Sequence, residues 1–363
     1  MKVVYNYEAF LPFRGGVARI FIELAKYGFT RENVSLHVFS GLNRSLYLKE
    51  EPALRKKCCG FFIPPPFNKI RLLLPLNRLF FAIYSRLVSA DICHYTNLDT
   101  PYVPRSTKTV ITVHDLIDEI YNPLGLDCPR AKERRRAIDR TDGIICVSET
   151  TRRDLLNFYP DVSNKKIAVI YNGNDLQTVA PLPVKCDVPY ILYIGERRSD
   201  YKNFFVLLKF FSNSELFADH HLICFGGGAF STEEQAVLRK HGLFDRVIHD
   251  SGSDSKLVGY YQNAFALVYP SKYEGFGIPT VEAMSLGCPV VCSNAPPMPE
   301  VNGDGVLYFS PDSAVELARC LETLKDPQMR MQCVELGKKR AAQFSWEKTC
   351  RETYDFYRQV LEM

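Results

Sequence analysis

The sequence lacks the patterns that identify several large classes of protein. Its 363 residues contain no Cys-x-x-Cys pair, no His/Cys cluster with zinc spacing and no Asp-x-Asp. No apolar run is long enough to cross a bilayer, and the opening segment MKVVYNYEAF lacks the apolar core of a signal peptide. Low-complexity tracts and solenoid repeats are also missing. These absences argue against a zinc-stabilised, integral membrane, signal-peptide-secreted or repeat protein.

The sequence also has little net charge and few features of a nucleic-acid-binding protein. Its formal charge is +4, and it contains no ordered run of basic and aromatic residues like those of RNA-binding modules. Several of its twelve cysteines lie inside or beside β-branched apolar runs, where a free thiol acts as a small hydrophobe: Cys93, Cys146, Cys224 and Cys292. We therefore expect a reduced, cytoplasmic protein without a nucleic-acid partner.

What the sequence does contain is an alternation of short apolar runs with longer helical patterns, which is typical of parallel α/β sheets. The predicted strands are KVVYNY, SLHVFS, DICHY, TVITVHD, GIICVS and KIAVIYNG, then YILYIG, HLICFG, RVIHD, AFALVYPS and CPVVCSN. Segment 177–189, with three prolines, predicts a linker. The fold class is therefore α/β, with doubly wound Rossmann-like domains over 1–178 and 179–344, followed by a C-terminal helix over 345–363. Ligands are expected at the carboxyl ends of the strands, in the cleft between the domains.

The stretch YEGFGIPTVEAMSLGCPVV contains the strongest candidate site. Gly275 and Gly277 allow a tight loop, and Pro279 suits the first position of a helix. The N-terminus of that helix would hold a phosphate or diphosphate. Glu274 in the loop and Glu282 in the helix would then contact different hydroxyl-bearing parts of one ligand. The alternative is structural, with Glu282 complementing the helix dipole and Glu274 solvated.

The two glutamates, with seven residues between them, resemble the E-x7-E signature of retaining glycosyltransferase family 4, which has the GT-B fold. Seven further segments are similar to the family's in the same order: RGGVARI, ITVHDLIDEIYNP, IICVSETTRRDL, VIYNGND, YIGERRSDYKNF, NAPPMPEVNGDGVLYFSPDS and FSWEKTC. The resemblance covers nearly the full length and looks closest to bacterial-type mannosyltransferases of polysaccharide and O-antigen assembly. It implies two domains facing across a cleft, with the C-terminal helix packing back on the N-terminal domain.

The resemblance also implies roles for individual residues. Arg197 and Lys202 would neutralise the donor diphosphate, with Arg198 competing for the arginine role, and Glu274 would face the transferred sugar. Together with Glu274, the implied catalytic set includes His114, Arg197 and Lys202. The implied donor-binding residues are Gly15, Gly16, Arg198, Gly275, Phe276, Gly277, Ile278 and Glu282.

His114 ends the strand TVITVHD, at the position where the family uses a histidine against the transferred sugar. Without that resemblance, a lone histidine at a strand end is more often structural. Its neighbour Asp115 would contact the acceptor or orient His114. Because the chain has no Asp-x-Asp to hold a metal on the diphosphate, cationic side chains and the helix end would meet that charge. We therefore expect transfer without a metal or other cofactor.

The stretch between Glu51 and Asp91 has seven basic residues, no acid, and the apolar segments FFIPPP, IRLLLPL and RLFFAIYSRL. This mixture suits an anionic membrane surface, where each basic residue contributes about 1 kcal/mol. Membrane contact would bring the protein to a lipid-linked acceptor. The alternative is a core helix with a basic wet face, and Pro75 is expected to interrupt a long amphipathic helix. The cluster KERRRAIDR at 132–140 would extend the basic surface or ring the acceptor cleft.

Together, these features predict a retaining glycosyltransferase acting on a nucleoside-diphosphate sugar. Mannose is favoured as the transferred hexose and GDP-mannose as the donor, with a glycan or lipid-linked acceptor. A UDP-sugar donor is the first alternative. The sequence also leaves open an epimerase or phosphorylase of GT-B type and a non-catalytic nucleotide-sugar-binding protein.

Overall fold

The computed structural model describes residues 1–67, 69–184 and 186–363, so Asn68 in the basic stretch and Lys185 in the predicted linker lie outside the described residues. The chain divides into two compact units. Unit 1 contains Met1–Gly173 and Trp346–Met363, and unit 2 contains Asn174–Ser345. The first division falls before the boundary at 178 that the sequence predicts, and Ser345 belongs to unit 2.

Unit 1 is built on a parallel sheet that separates two apolar cores. Its seven strands are β1 (Lys2–Tyr5), β2 (Ser35–Asn43), β3 (Cys58–Phe62), β4 (Ile92–Tyr95), β5 (Lys108–Val113), β6 (Gly143–Cys146) and β7 (Lys166–Val169). They lie in the order β3-β2-β1-β4-β5-β6-β7. Successive side chains of a strand point to opposite faces, so Val3 and Tyr5 join one core and Val4 joins the other.

Helices cover the sheet of unit 1 and follow its strands. They are α1 (Gly16–Gly28), α2 (Leu46–Glu50), α3 (Pro52–Arg55), α4 (Ile70–Val88), α5 (Ile117–Tyr121), α6 (Pro129–Asp139) and α7 (Glu149–Phe158). On α1, Ile20, Phe21 and Leu24 are buried at the i, i+1 and i+4 spacing of one helix face, which is typical of an amphipathic helix. On α7, the Ser148 hydroxyl accepts the N–H of Thr151 at 3.0 Å, which makes Ser148 the N-cap of the helix.

Unit 2 repeats this architecture with a six-stranded parallel sheet. Its strands are β8 (Tyr190–Ile194), β9 (His221–Phe225), β10 (Val247–Asp250), β11 (Ala266–Tyr269), β12 (Val290–Ser293) and β13 (Leu307–Phe309), in the order β10-β9-β8-β11-β12-β13. Its helices are α8 (Phe204–Asn213), α9 (Thr232–Lys240), α10 (Asp254–Asn263), α11 (Ile278–Ser285), α12 (Met298–Asn302), α13 (Ala314–Thr323) and α14 (Pro327–Ala341). Each unit is therefore a doubly wound α/β domain, as the sequence predicts.

The last helix, α15 (Trp346–Leu361), packs into the core of unit 1. Tyr354 and Tyr357 are buried on its inner face, and the Tyr354 hydroxyl lies 2.9 Å from that of Tyr5 on β1. His94 on β4 hydrogen-bonds through Nδ1 to the Tyr357 hydroxyl at 2.6 Å and through Nε2 to Thr112 at 2.9 Å. The end of the chain is thus tied by buried polar contacts to the centre of the first sheet.

Two edge strands, β3 and β13, are absent from the sequence prediction. Edge strand β3 is only partly buried and contains Gly60, where an added Cβ would lie 2.3 Å from the Gly41 carbonyl oxygen. Glycine weakens the sequence signal of a strand, although here the close backbone approach requires it. Strand β13 has only three residues, too few for a periodic pattern to be recognised.

The expectation that Pro75 would interrupt a long helix in the basic stretch is wrong. Helix α4 has 19 residues and continues through Pro75. Its inner face contains Leu73, Phe81 and Asn77, and the Asn77 side chain accepts the N–H of Leu42 at 2.8 Å and donates to its carbonyl at 3.1 Å. This side-chain pairing fixes the helix on β2. Among the described residues, no helix combines the length and apolar character needed to span a bilayer.

Because His94 is buried, we predict that the folded state of unit 1 loses stability as the pH falls. Burial, followed by the nearby His114, lowers the pKa of His94 to about 3, whereas an unfolded histidine titrates near pH 6.5. Between these values the unfolded chain binds the proton and the folded chain does not. As the pH falls from 6.5, we expect the stability advantage of the wild type over His94→Gln to shrink by about 1.4 kcal/mol per pH unit.

Urea denaturation at pH 7 and pH 5, followed by tryptophan fluorescence, measures this change. The only tryptophan, Trp346, lies in unit 1. Tyr357→Phe is the control, because it removes the hydrogen bond and keeps the titrating imidazole. If the wild type exceeded His94→Gln by the same free energy of unfolding at both pH values, the lowered pKa of His94 would be contradicted.

Candidate functional site

Glu274 follows β11 and is buried, with only 8% of its surface exposed. Its Oε1 accepts hydrogen bonds from Lys202 Nζ at 2.6 Å and from the Tyr269 hydroxyl at 2.9 Å. The alternative of a solvated loop residue is therefore wrong for Glu274. Burial, and then the Glu274 carboxylate, raise the pKa of Tyr269 well above its ordinary value. The tyrosine therefore keeps its proton, and its hydroxyl donates a hydrogen bond to the carboxylate.

Lys202 reaches this carboxylate from the loop that follows β8. Burial by itself would lower the pKa of Lys202, but the interactions with Tyr269 and Glu274 outweigh it and raise that pKa well above the ordinary value. Lys202 is therefore charged at neutral pH. A buried ion pair contributes little net stability, yet removing one partner leaves an uncompensated charge. The pair thus fixes the loops after β8 and β11 to each other.

The N-terminus of α11 is open, as the glycine-rich loop predicts. Gly277 is the N-cap, with φ at 89°, and no side chain caps the helix. The positive φ favours glycine at this position, and an added Cβ at Gly277 would lie 2.7 Å from the end of the Met298 side chain, Cε. Phe276 is buried against Phe344, and Pro279 occupies the second helical position because the helix begins at Ile278. This terminus retains the partial positive charge that binds anions.

Glu282 lies in the second turn of α11 and is also buried, with 7% of its surface exposed. Its Oε2 accepts a hydrogen bond from the Tyr261 hydroxyl at 2.8 Å. The same hydroxyl lies 3.1 Å from the Pro279 carbonyl oxygen. The alternative, in which Glu282 is a first-turn acid that only complements the helix dipole, is therefore wrong. Tyr261 fixes the orientation of the carboxylate.

Arg197 is buried, and its guanidinium holds a loop together, so its role on a diphosphate stays a prediction. Its Nε donates to Glu234 at 2.9 Å, and its two terminal nitrogens donate to the Gly226 and Gly228 carbonyls at 3.0 and 2.7 Å. Its side chain is 1% exposed and stacks over Phe230. No local sequence pattern distinguishes this buried arginine from its exposed neighbour Arg198.

Arg198 has the opposite surroundings. It is exposed, and its guanidinium has no hydrogen bond or ion pair among the described residues. It lines a cavity of about 550 Å³ whose lining includes Phe230 and Lys272 but not Glu274 or Lys202. Arg198 is therefore the exposed arginine of this loop, in contrast to the buried Arg197.

In unit 1, His114 directly follows β5, at the carboxyl edge of the first sheet. Its Nε2 is buried and has no hydrogen-bond partner within the described residues. Burial, together with the charge of Arg134, lowers the pKa of His114 to about 4, so the imidazole is neutral at pH 7. An unpartnered buried nitrogen is costly unless a ligand satisfies it, which favours a functional role.

The residues around His114 form a buried charge network. Arg134 of α6 is paired with Glu119, and it lies 3.4 Å from Asp118 and 3.8 Å from Asp115. Asp115 also accepts the N–H of Ile117 at 3.2 Å. Within the cluster at 132–140, Arg134 is therefore structural and not part of a basic surface.

The predicted glycine pair lies at the start of α1. Gly15 is its N-cap, without a side-chain cap, and Gly16 is its first residue. No atom lies within 4 Å of the position that a Cβ on Gly15 would take. The backbone at this terminus is thus accessible to a ligand. The structure places Lys202 against Glu274. Glu282 and the segment 275–278 belong to the same unit 2, whereas His114 and the two glycines belong to unit 1.

Two tyrosines of the candidate site, Tyr261 and Tyr269, are absent from the sequence prediction. Each positions one glutamate of the E-x7-E pair. Tyr269 lies five residues before Glu274 at the end of a predicted strand, and this position only weakly indicates a contact between the two residues. Tyr261 is 21 residues from Glu282 on another helix, and no local pattern connects them.

Comparison with known proteins identifies both units. Residues 14–178 match the model described as Glycosyltransferase Family 4, and residues 179–340 match Glycosyl transferases group 1. The chain belongs to the glycosyltransferases, with a family 4 domain followed by a group 1 domain. It is 29% identical to O-antigen chain mannosyltransferase B of Escherichia coli, over 99% of this chain and 100% of the relative. It is 30% identical to the O-antigen chain mannosyltransferase RfbU of Salmonella typhimurium, over 58% of this chain and 59% of that protein.

Solved structures show that this glycosyltransferase has the GT-B fold. Sucrose-phosphate synthase of Thermosynechococcus elongatus superposes with a TM-score of 0.77 at 19% identity, over 99% of both chains. WaaG, a glycosyltransferase involved in lipopolysaccharide biosynthesis, gives 0.74 at 15% identity, over 98% of this chain and 99% of WaaG. At these identities the likeness shows the fold alone. The predicted family, fold class and enzyme class are therefore confirmed.

The two adjacent arginines predict different effects of the same substitution. Arg197→Gln breaks the contacts to Glu234 and to two carbonyls, so we expect unit 2 to lose about 2–4 kcal/mol of stability. Arg198→Gln should change stability by no more than about 0.5 kcal/mol and should weaken the binding of a nucleoside diphosphate. Amide hydrogen exchange of β8 and β9 measures the first effect, and calorimetric titration with GDP and with UDP measures the second. Equal loss of stability in both variants would contradict this division of roles.

Proposed function

We propose that the protein transfers mannose, with retention, from GDP-mannose to a hydroxyl of a lipid-linked glycan in polysaccharide assembly. The full-length likeness to an O-antigen mannosyltransferase supports the choice of sugar. The observation that carries the proposal is the pairing of Glu274 with Lys202, buried beside the open end of α11 in the group 1 domain. A charged pair in such a place is expensive for a site that binds nothing.

In the proposed donor site, each group matches one part of the nucleotide sugar. The N-terminus of α11, with Lys202 and Arg198, receives the diphosphate, because uncapped N–H groups and cations suit it. Glu274 accepts hydrogen bonds from sugar hydroxyls, and Glu282 accepts them from the ribose. These cations neutralise the leaving nucleoside diphosphate, so we propose that transfer requires no metal or other cofactor and that EDTA leaves turnover unchanged.

The proposed chemistry is attack from the face of the departing phosphate. Glu274 is a poor nucleophile, because Lys202 and Tyr269 already bind its carboxylate. A double displacement through that residue is therefore disfavoured. The departing phosphate instead takes the proton of the acceptor hydroxyl, as the family resemblance implies. His114, neutral at working pH and with a free Nε2, is proposed as a hydrogen-bonding contact of the transferred sugar.

Substitutions of the buried pair separate its structural role from its proposed functional one. Lys202→Met and Glu274→Gln should each cost about 3–5 kcal/mol of stability, because each leaves one partner uncompensated. The double variant should recover much of that stability and still transfer no mannose. Urea denaturation and release of GDP from GDP-mannose in the presence of acceptor measure the two quantities.

Lys256→Met is the matched control, because its 2.7 Å ion pair with Asp250 lies in the same unit and is more exposed. We expect it to cost about 1 kcal/mol at most and to keep full turnover. Near-normal turnover of the double variant would refute the assigned site. Titration of the wild type with GDP-mannose and UDP-glucose tests the donor, and tighter binding of UDP-glucose would favour the alternative.

We also propose that α4 docks on an anionic membrane surface, on the cytoplasmic face. Its outer side presents a stripe of exposed apolar side chains at helical spacing: Leu72, Leu76, Leu79, Phe80, Ile83 and Leu87. Arg71 and Arg86 accompany the stripe, and no acid occurs between Glu51 and Asp91. Apolar residues flanked by arginines suit the boundary between anionic headgroups and acyl chains. The alternative of a core helix with a basic wet face does not account for this stripe.

Vesicle sedimentation tests the docking surface. The double variant Leu76→Ser/Ile83→Ser should bind phosphatidylglycerol vesicles at least about tenfold more weakly, because each leucine or isoleucine side chain removed from water contributes about 1.5–3 kcal/mol. The matched control is Met331→Ser/Leu336→Ser, which changes exposed apolar residues of unit 2. Equal binding by the two double variants would exclude α4 as the membrane contact.

A further inference from the structure

Unit 1 contains a groove of about 1050 Å³ between α4, the loop after β4 and the helix α6. One wall is apolar and includes Ile70, Leu74 and Leu79 of α4. Ile70 and Leu79 are among the exposed apolar residues of α4, and Leu79 is part of the stripe. The groove is therefore open along the surface that we assign to the membrane. An apolar chain lying on α4 would reach the groove without crossing water.

The facing side of the groove carries arginines of α6 and its C-terminal end. Arg136 is exposed and has no hydrogen bond or ion pair among the described residues. Arg140 donates one hydrogen bond to the Thr100 carbonyl at 3.3 Å and is otherwise unpaired within the same residues. These two arginines are one helical turn apart, so their guanidinium groups can bind one anion together. Arg130, 3.5 Å from Glu133, lies on the same lining.

The acids of the groove do not cancel this charge, because internal contacts occupy two of them. Asp99 binds the Tyr7 hydroxyl and accepts from Arg78 Nε at 3.0 Å. Glu8 accepts the N–H of Asp99 at 2.6 Å. Burial raises the pKa of Glu8 to about 7, although the Asp99 N–H opposes that change, so its carboxyl is partly protonated at neutral pH. The groove thus combines unneutralised arginines with an apolar wall.

We propose that this groove binds the phosphate group of a lipid-linked acceptor, with Arg136 and Arg140 on the phosphate and α4 along the first part of its apolar chain. The inference rests on the proposed function and names the class of its acceptor. Paired guanidinium groups match phosphate oxygens better than they match sugar hydroxyls. An apolar wall beside them selects an alkyl or isoprenyl phosphate over inorganic phosphate or a nucleotide.

The test is calorimetric titration of the full chain with geranyl phosphate, inorganic phosphate and GDP. The wild type should bind geranyl phosphate well above its affinity for inorganic phosphate. Arg136→Gln/Arg140→Gln should weaken geranyl phosphate binding by about tenfold or more, since hydrogen bonds to charged groups are the stronger ones. GDP binding, assigned to unit 2, should not change. Leu79→Asn should weaken geranyl phosphate binding and leave inorganic phosphate binding as it is.

The matched control is Arg105→Gln, an exposed arginine of unit 1 outside the groove lining. Equal affinity of this control and of the double arginine variant for geranyl phosphate would overturn the proposal. So would equal binding of geranyl and inorganic phosphate by the wild type. If GDP-mannose is used while geranyl phosphate does not bind, the groove proposal alone fails. If geranyl phosphate binds as expected while no donor is used, the proposed function fails instead.

Discussion

The candidate donor site depends most on one buried contact, the ion pair between Lys202 and Glu274. The two residues come from loops that follow different strands of the second sheet, and Tyr269 adds a hydrogen bond to the same carboxylate. Because a buried charge without its partner is costly, each loop restricts the other. The open end of α11 follows Glu274 closely in the chain, with Gly277 as its N-cap. A donor diphosphate bound there would meet groups already held in place.

Both units use parallel strands, and this explains why separate sequence segments form a common surface within each unit. The carboxyl ends of parallel strands lie at one edge of a sheet, where loops can carry function without disturbing the core. In unit 1 that edge carries His114, and the core beneath it includes α15, which Tyr357 ties to His94. In unit 2 it carries Lys202 and Glu274. The C-terminal helix thus belongs to the fold of the unit that contains His114.

The sequence predicted the α/β class and the central strands because their signals are local. Periodic apolar patterns and turn glycines depend on neighbours within a few residues. The edge strands β3 and β13 could not be predicted, because β3 is half exposed and β13 has only three residues. The different surroundings of Arg197 and Arg198, and the tyrosines behind the two glutamates, depend on contacts distant in sequence. The prediction that Pro75 interrupts the helix was wrong, because packing of α4 on β2 outweighs the tendency of proline to break a helix.

The most direct test of the account is to identify the product formed from GDP-mannose. The purified chain would be incubated with GDP-mannose carrying ¹³C-labelled mannose and with a lipid-linked glycan acceptor, and the anomeric signals would be followed by NMR. The account predicts GDP release together with a new mannosyl linkage of the same anomeric configuration as the donor. An inverted linkage, or transfer from a UDP-hexose but not from GDP-mannose, would contradict it.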